Sequence, residues 1–251
     1  MREILRLSFS LAKTSFKLRN EGSYLGIMWY LLGPLALFFI ILFVKGAAFP
    51  GTSAPSYPIY LLIGITGFNF FRQSITTSIQ AINMNAGFIR SINNISLETF
   101  VLATILESVF SHIFEIALVA AFMIYFGVPV LGILLYPLSF LVFFPFILGA
   151  GFFCAAVGVY TTDLDNIWMI ASQLLFFVTP VFYTIEPGTM LHTVNLFNPV
   201  FYFVSISRSL LIDRTFPPLW MFGVILGMGA LACFVGIKIF EAKKRELAEK
   251  V

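Results

Sequence analysis

The stretch QLLFFVTPVFYTIEPG, residues 173–188, decides how this chain is read. It begins as an apolar helix and meets Pro180. Phe182 and Tyr183 follow at once, and a second breaker pair stands at Pro187 and Gly188. Proline removes a backbone donor and its ring clashes with the carbonyl four residues earlier, so the helix must stop. A helix that only anchors a chain in lipid needs neither such a break nor a group of aromatic rings at its end. The pattern raises the question of why an apolar helix is stopped with aromatic rings clustered at its end.

Composition sets the medium. The chain has 251 residues, 59% hydrophobic and 11% charged, with mean hydropathy +0.96. Soluble domains carry about 25% charged residues, so this chain could not cover its own surface in water and reads as an integral membrane protein. Aromatics reach 17%, with 31 Phe, more than interfacial belts alone require. Cys154 and Cys233 sit in apolar runs without a ligand-like or disulfide-like setting and read as small buried hydrophobes. The basic, amphipathic N-terminal segment does not have the form of a cleavable signal.

A membrane helix needs about 20 apolar residues, and six spans are expected: residues 25–44, 57–71, 97–126, 130–160, 167–183 and 219–240. The third and fourth are long enough to tilt or to project from the bilayer. Arg2, Arg6, Lys13, Lys17 and Arg19 precede the first span, and Lys238, Lys243, Lys244, Arg245 and Lys250 follow the last. The positive-inside rule then makes both termini cytoplasmic. Arg72 and Arg90 put the second loop inside, and Asp163 and Asp165 fall in the next inside loop, where acidic residues say little about orientation. Residues 184–218 must then lie outside despite Arg208 and Arg214. Residues 1–21 form an amphipathic helix, with Arg6, Ser10, Lys13, Lys17 and Asn20 on one face and Leu5, Phe9, Ala12 and Phe16 on the other. Such a helix suits the cytoplasmic interface. Residues 83–98 are the only sizeable polar loop between spans on that side, and Phe88, Ile89 and Arg90 could form a short docking helix within it.

No phosphate loop, HExxH, CxxC or GxSxG is present; no catalytic or metal site is expected. The ionisable groups within the spans are Glu107, His112 and Glu115. At 100° per residue His112 and Glu115 are neighbours while Glu107 points away, so the three do not converge and read as interhelical hydrogen-bonding groups. Gly149, Gly151, Gly158, Gly223, Gly227 and Gly229 read as points of close helix contact.

Three motifs carry a resemblance. Leu25, Gly26, Trp29 and Pro34 follow the amphipathic helix; an Asp163–Leu164 pair leads an apolar helix into the Thr-Pro-Val-x-Tyr stretch; and Asn198–Pro199 opens a helix carrying Arg208. In that order, over nearly the whole chain, they resemble the type-2 ABC exporter permeases that move O-antigen, capsule and teichoic acid polymers. The resemblance implies an all-α membrane protein, one permease domain over residues 1–251, with six transmembrane helices, an N-terminal interface helix and short re-entrant helices within 184–218. It implies a homodimer in the bacterial cytoplasmic (inner) membrane, joined by two copies of a cytoplasmic ATP-binding subunit. ATP and Mg would be held by that subunit, with no cofactor on this chain. Phe88, Ile89 and Arg90 would be the coupling helix seated on it. The substrate would be a glycan or glycolipid; lipid is the other partner, and no nucleic acid is expected. The aromatic rings then acquire a purpose: Phe176, Phe177, Phe182, Tyr183, Phe201 and Tyr202 would ring the exit, and Trp29 and Tyr30 would form a lower belt. Exporters of drugs, lipids or signalling oligosaccharides from the same superfamily, a membrane-embedded transferase using Glu107, His112 or Glu115, and a passive channel are the competing readings.

The topology is checked by single cysteines placed at Asn20 and Thr189 in permeable-walled cells. An impermeant thiol reagent should label Thr189→Cys only. Labelling of Asn20→Cys from outside overturns the topology.

Overall fold

The structure is a computed structural model that describes residues 2–21, 24, 26, 28–48, 54–91 and 95–250, without the side chains of residues 248 and 249. Leu25 of the first motif and residues 92–94 of the polar loop lie outside the described residues. Among those described, every regular element is helical. In chain order they are α1 (Arg2–Glu21), α2 (Met28–Ala48), α3 (Tyr57–Gln80), the short α4 (Ala86–Ser91), α5 (Leu97–Tyr125), α6 (Tyr136–Gly158), α7 (Leu164–Val178), α8 (Met190–Asn195), α9 (Pro199–Arg208) and α10 (Leu219–Lys250). A 3-10 segment, Val130–Leu135, leads into α6, and a π turn, Ser209–Asp213, ends α9.

Four segments are long and apolar enough to cross a bilayer: Met28–Ala48, Val130–Gly158, Leu97–Tyr125 and Leu219–Leu247. The other two expected spans depart from that standard for different reasons. The chain of α3 is long enough, 24 residues or about 36 Å, but its second half carries Asn69, Arg72, Gln73, Thr76, Thr77 and Gln80. It tolerates them because it is the central helix: 16 of its 24 residues are buried, and α2, α5, α6, α7 and α9 all pack against it. The other, α7, has only 15 residues, about 22 Å, short of a hydrocarbon core of about 30 Å. It stops where Pro180 requires.

Close approach of backbones organises the rest. A Cβ on Gly149 would lie 2.1 Å from the Ala232 carbonyl carbon, and one on Gly236 would lie 2.0 Å from the Gly149 oxygen, so α6 and α10 touch backbone to backbone. Gly151, Gly158 and Gly229 also face neighbours, whereas Gly223 and Gly227 have nothing within 4 Å. The GxxxG pair therefore makes no close contact among the described residues of this chain. One end of the molecule gathers the start of α5, the end of α6 and the basic tail of α10. There Lys244 Nζ binds Glu98 Oε1 at 2.6 Å, and Tyr160 donates to Glu246 at 2.6 Å.

The amphipathic α1 lies across α5 rather than standing alone. Ser8 and Ala12 are its buried residues, small enough to let the helices meet. Phe16 stacks on Phe114 at 5.9 Å and on Tyr30 at 5.7 Å, and Arg19 Nη2 binds Glu107 Oε1 at 2.8 Å. Leu5 and Phe9 are each 53% exposed, so only part of the expected apolar face packs on the protein.

Candidate functional site

The end of α7 leaves backbone carbonyls that a continued helix would have satisfied. At membrane depth each unsatisfied one is costly, and non-helical backbone survives there only when protein or a water-filled cavity lines it. Each carbonyl from Phe177 to Tyr183 has a donor. Tyr183 Oη donates to the carbonyls of Phe177 and Val178, both at 2.7 Å, and Asn195 Nδ2 reaches Val178 O at 2.9 Å. The Val181 amide bonds Thr179 O at 2.7 Å. Arg208 serves the next two: Nη1 donates to Pro180 O at 2.7 Å and Nη2 to Val181 O at 2.6 Å. Tyr57 Oη then donates to Phe182 O at 2.9 Å, and Tyr60 Oη to Tyr183 O at 2.8 Å.

Arg208 is the hub. It is buried, its Nε and Nη2 also donate to Tyr60 O at 3.1 and 3.0 Å, and its guanidinium lies 3.4 Å above the Tyr60 ring centre. A planar fork of donors suits several carbonyls at once, as a lysine ammonium does not. Room for it comes from Gly64, where a Cβ would lie 2.4 Å from Arg208 Nη2 and 2.6 Å from Val181 O. The motif residue Asn198 adds a second tie: its Nδ2 donates to Thr179 Oγ1 at 2.8 Å while its Oδ1 caps α9 by accepting from the Val200 amide at 3.0 Å.

So held, the break presents rings. Phe176, Phe177, Phe182 and Tyr183 form one cluster with centroid separations of 5.0 to 6.1 Å. With Tyr57 and Tyr60 they line a cavity of about 790 Å³ closed on the other side by α2 residues from Leu37 to Lys45. Lys45 Nζ lies 3.3 Å over the Tyr57 ring. Tyr57 and Tyr60 escaped the sequence reading, although their spacing of three on one helix face was the available signal.

The remaining expected residues divide. Trp29 is 60% exposed, and with Tyr30 it lines a separate cavity of about 200 Å³ against Asn69, Arg72, His112 and Glu115. Phe201 and Tyr202 do not join the ring cluster. Tyr202 is buried, its hydroxyl donates to Leu196 O at 2.9 Å and its ring meets Trp220 edge-on at 6.1 Å. It is a core residue, and that corrects its expected place at the exit. Phe201 is half-buried against Tyr202 and His192. Phe88 is 58% exposed and Ile89 half-buried on the short helix α4, with Arg90 exposed beside them.

Within α5 the ionisable groups separate as their helical angles require. His112 Nδ1 meets Glu115 Oε2 at 2.7 Å, and its Nε2 meets Tyr136 Oη. Asn69 Nδ2 donates to Glu115 Oε1, and Arg72 Nη2 donates to Asn69 Oδ1 at 3.0 Å. This chain of bonds joins α3, α5 and α6. Glu107 stands apart with Arg19.

The chain is similar to known proteins over most of its length. The sequence model of the family described as ABC-2 type transporter matches residues 6–212. The O-antigen export system permease protein RfbA of Myxococcus xanthus is 22% identical over 251 residues, covering 98% of this chain and 95% of its own. A permease of the same name from Klebsiella pneumoniae is 21% identical over 243 residues, 93% of this chain and 90% of its own.

Replacement of Arg208 tests the account of the break. Arg208→Met orphans the carbonyls of Pro180 and Val181, at roughly 1–3 kcal/mol each. The purified protein should melt at lower temperature, and protease should cut within residues 179–188 faster. Arg208→Lys should fall between. Wild-type melting and cleavage of Arg208→Met contradicts the account.

Proposed function

This chain belongs to the ABC-2 type transporter family, and from that premise we propose that it is the membrane-spanning permease subunit of an ATP-driven exporter of polysaccharide. The observation that carries the substrate class is the ring-lined cavity beneath the broken helix. A sugar polymer has apolar ring faces and polar edges. Aromatic faces hold the former without fixing one register, so a chain can slide. The names of the two RfbA relatives, both O-antigen export permeases, agree with it. The glycan is carried on a lipid in this reading, and the apolar α2 wall of the cavity suits that. The translocation residues are Phe176, Phe177, Phe182 and Tyr183, with Trp29 and Tyr30 below them; Phe201 lies at the margin.

The working unit is a homodimer. On α7 only Ser172 is buried, and Ile167, Met169, Ile170, Leu174 and Phe177 are exposed; on α2 only Pro34 and Phe38 are buried. Two neighbouring helices with apolar faces uncovered beside a cavity are suited to meeting the same faces of a second copy. ATP hydrolysis falls to two copies of a cytoplasmic partner, docked on α4 through Phe88, Ile89 and Arg90. In this arrangement the chain crosses the bacterial inner membrane six times, α3 and α7 being the two polar or shortened crossings. Both termini are cytoplasmic, α1 lies at the inner interface, and α8 and α9 are re-entrant on the outer side.

Two substitutions separate sliding from anchoring. Leucine keeps most of the apolar area of phenylalanine and loses its flat face. Sugar stacking is worth roughly 1–3 kcal/mol per ring if it resembles base–aromatic stacking. Phe177→Leu with Phe182→Leu should leave expression, assembly and basal ATP hydrolysis intact and lower polymer export at least several-fold. Tyr183→Leu is a poorer test because its hydroxyl holds two carbonyls. Phe234→Leu, exposed on α10, should be silent. Wild-type export by the double variant means that the rings face lipid.

The docking role has its own test. Arg90→Glu should uncouple ATP hydrolysis from export, or prevent the complex assembling, while the permease still inserts. Normal assembly and export contradict the assignment.

A further inference from the structure

A second cavity, of about 610 Å³, continues from the ring cluster along α3 and α7, sharing Leu37, Phe176 and Phe177 with it. Its chemistry differs. Gln73, Thr76 and Gln80 line it from α3, and Asp165, Ser172 and Gln173 from α7. A lipid-facing groove has no use for amides, hydroxyls and a carboxylate at this density, since each is costly against hydrocarbon. Aromatic walls stand among them. Trp168 is held by donating through Nε1 to Thr76 Oγ1 at 3.0 Å and by packing edge-on against Phe71 at 5.5 Å.

The charges in the cavity balance. Among the described residues Arg72 is its only cationic and Asp165 its only anionic lining residue, and Arg72 donates to Asn69 Oδ1. Asp165 is half satisfied: Oδ2 accepts from Gln80 Nε2 at 3.1 Å, whereas Oδ1 is buried and accepts no hydrogen bond from the described residues. A carboxylate oxygen with free acceptor capacity, beside an indole ring and several amides, is complementary to a hydroxyl donor. It is repelled by another carboxylate or a phosphate. We infer that this polar trough between α3 and α7 is a recognition site for uncharged, polyhydroxylated sugar units, in which Asp165 accepts a sugar hydroxyl and Trp168 supports a ring face. The site rests on the permease reading and narrows it: the polymer handled here is built of neutral sugars where it passes Asp165, whose carboxylate disfavours an anionic group beside it.

The test uses the permease complexed with its ATP-binding partner, titrated in separate experiments with maltohexaose and with a linear sialic acid hexamer of the same length, reading tryptophan fluorescence and calorimetric heat. Maltohexaose should bind and the sialic acid hexamer should not. Trp168→Phe should remove most of the fluorescence change while calorimetric binding persists. Asp165→Asn keeps an acceptor for Gln80 and should weaken maltohexaose binding about tenfold, as loss of one hydrogen bond to a charged acceptor does. Its melting temperature should stay at the wild-type level, so that misfolding does not account for the loss. Equal or tighter binding of the sialic acid hexamer, unchanged maltohexaose affinity in Asp165→Asn, or no response to either saccharide overturns the site. None of these touches the permease reading, which fails instead if the complex binds sugar yet never exports polymer.

Discussion

The guanidinium of Arg208 and the carbonyls it holds are the interaction on which this architecture depends. A helix cannot simply end inside a bilayer, because its last carbonyls would face hydrocarbon. Here a buried cation on α9 takes up Pro180 and Val181, and three tyrosines on α3 and in the break take up the carbonyls on either side. Gly64 is bare so that the fork fits. The cost of desolvating a charge is offset by four hydrogen bonds of 2.6 to 3.1 Å and by the Tyr60 ring beneath it. With the break fixed in this way, Phe182 and Tyr183 cannot drift into lipid. They stand with Phe176 and Phe177 around one cavity.

The same logic explains the central position of α3. As an isolated crossing it is too polar for lipid. As the helix that every neighbour touches, it turns those polar groups to use. Its first turn supplies the tyrosines of the break, its middle anchors the Asn69–Glu115–His112 bonds, and its last turns line the polar trough. One helix thereby passes from an aromatic wall to an amide-lined one. In the proposed reading, a polymer with both apolar faces and hydroxyl edges would meet a surface suited to each.

Much of this was legible in the residues. Pro180 announces the break through steric chemistry that no tertiary context can remove, and α7 does stop at Val178. The angles along α5 put His112 beside Glu115 and Glu107 elsewhere, because a helix has only one pitch. What stayed hidden was contact across long separations. Arg208 read as an awkward charge in an outer segment, since nothing in its neighbourhood reveals that carbonyls 27 and 28 residues away await it. Tyr202 looked like one more exit ring, but Leu196 and Trp220 hold it in the core. Glu107 gave no sign of Arg19, which lies 88 residues earlier. Gly223 and Gly227 carried a contact pattern that this chain alone does not use.

The central claim, that this chain with an ATP-binding partner moves polysaccharide, is tested most directly in inside-out vesicles. Vesicles carrying the reconstituted complex are loaded outside with radiolabelled lipid-linked polymer, and lumenal label protected from an added glycosidase is counted. The account predicts protected polymer that rises with ATP and stays at background with a non-hydrolysable analogue. Accumulation that is the same with and without ATP, or none while the partner hydrolyses ATP normally, would contradict it.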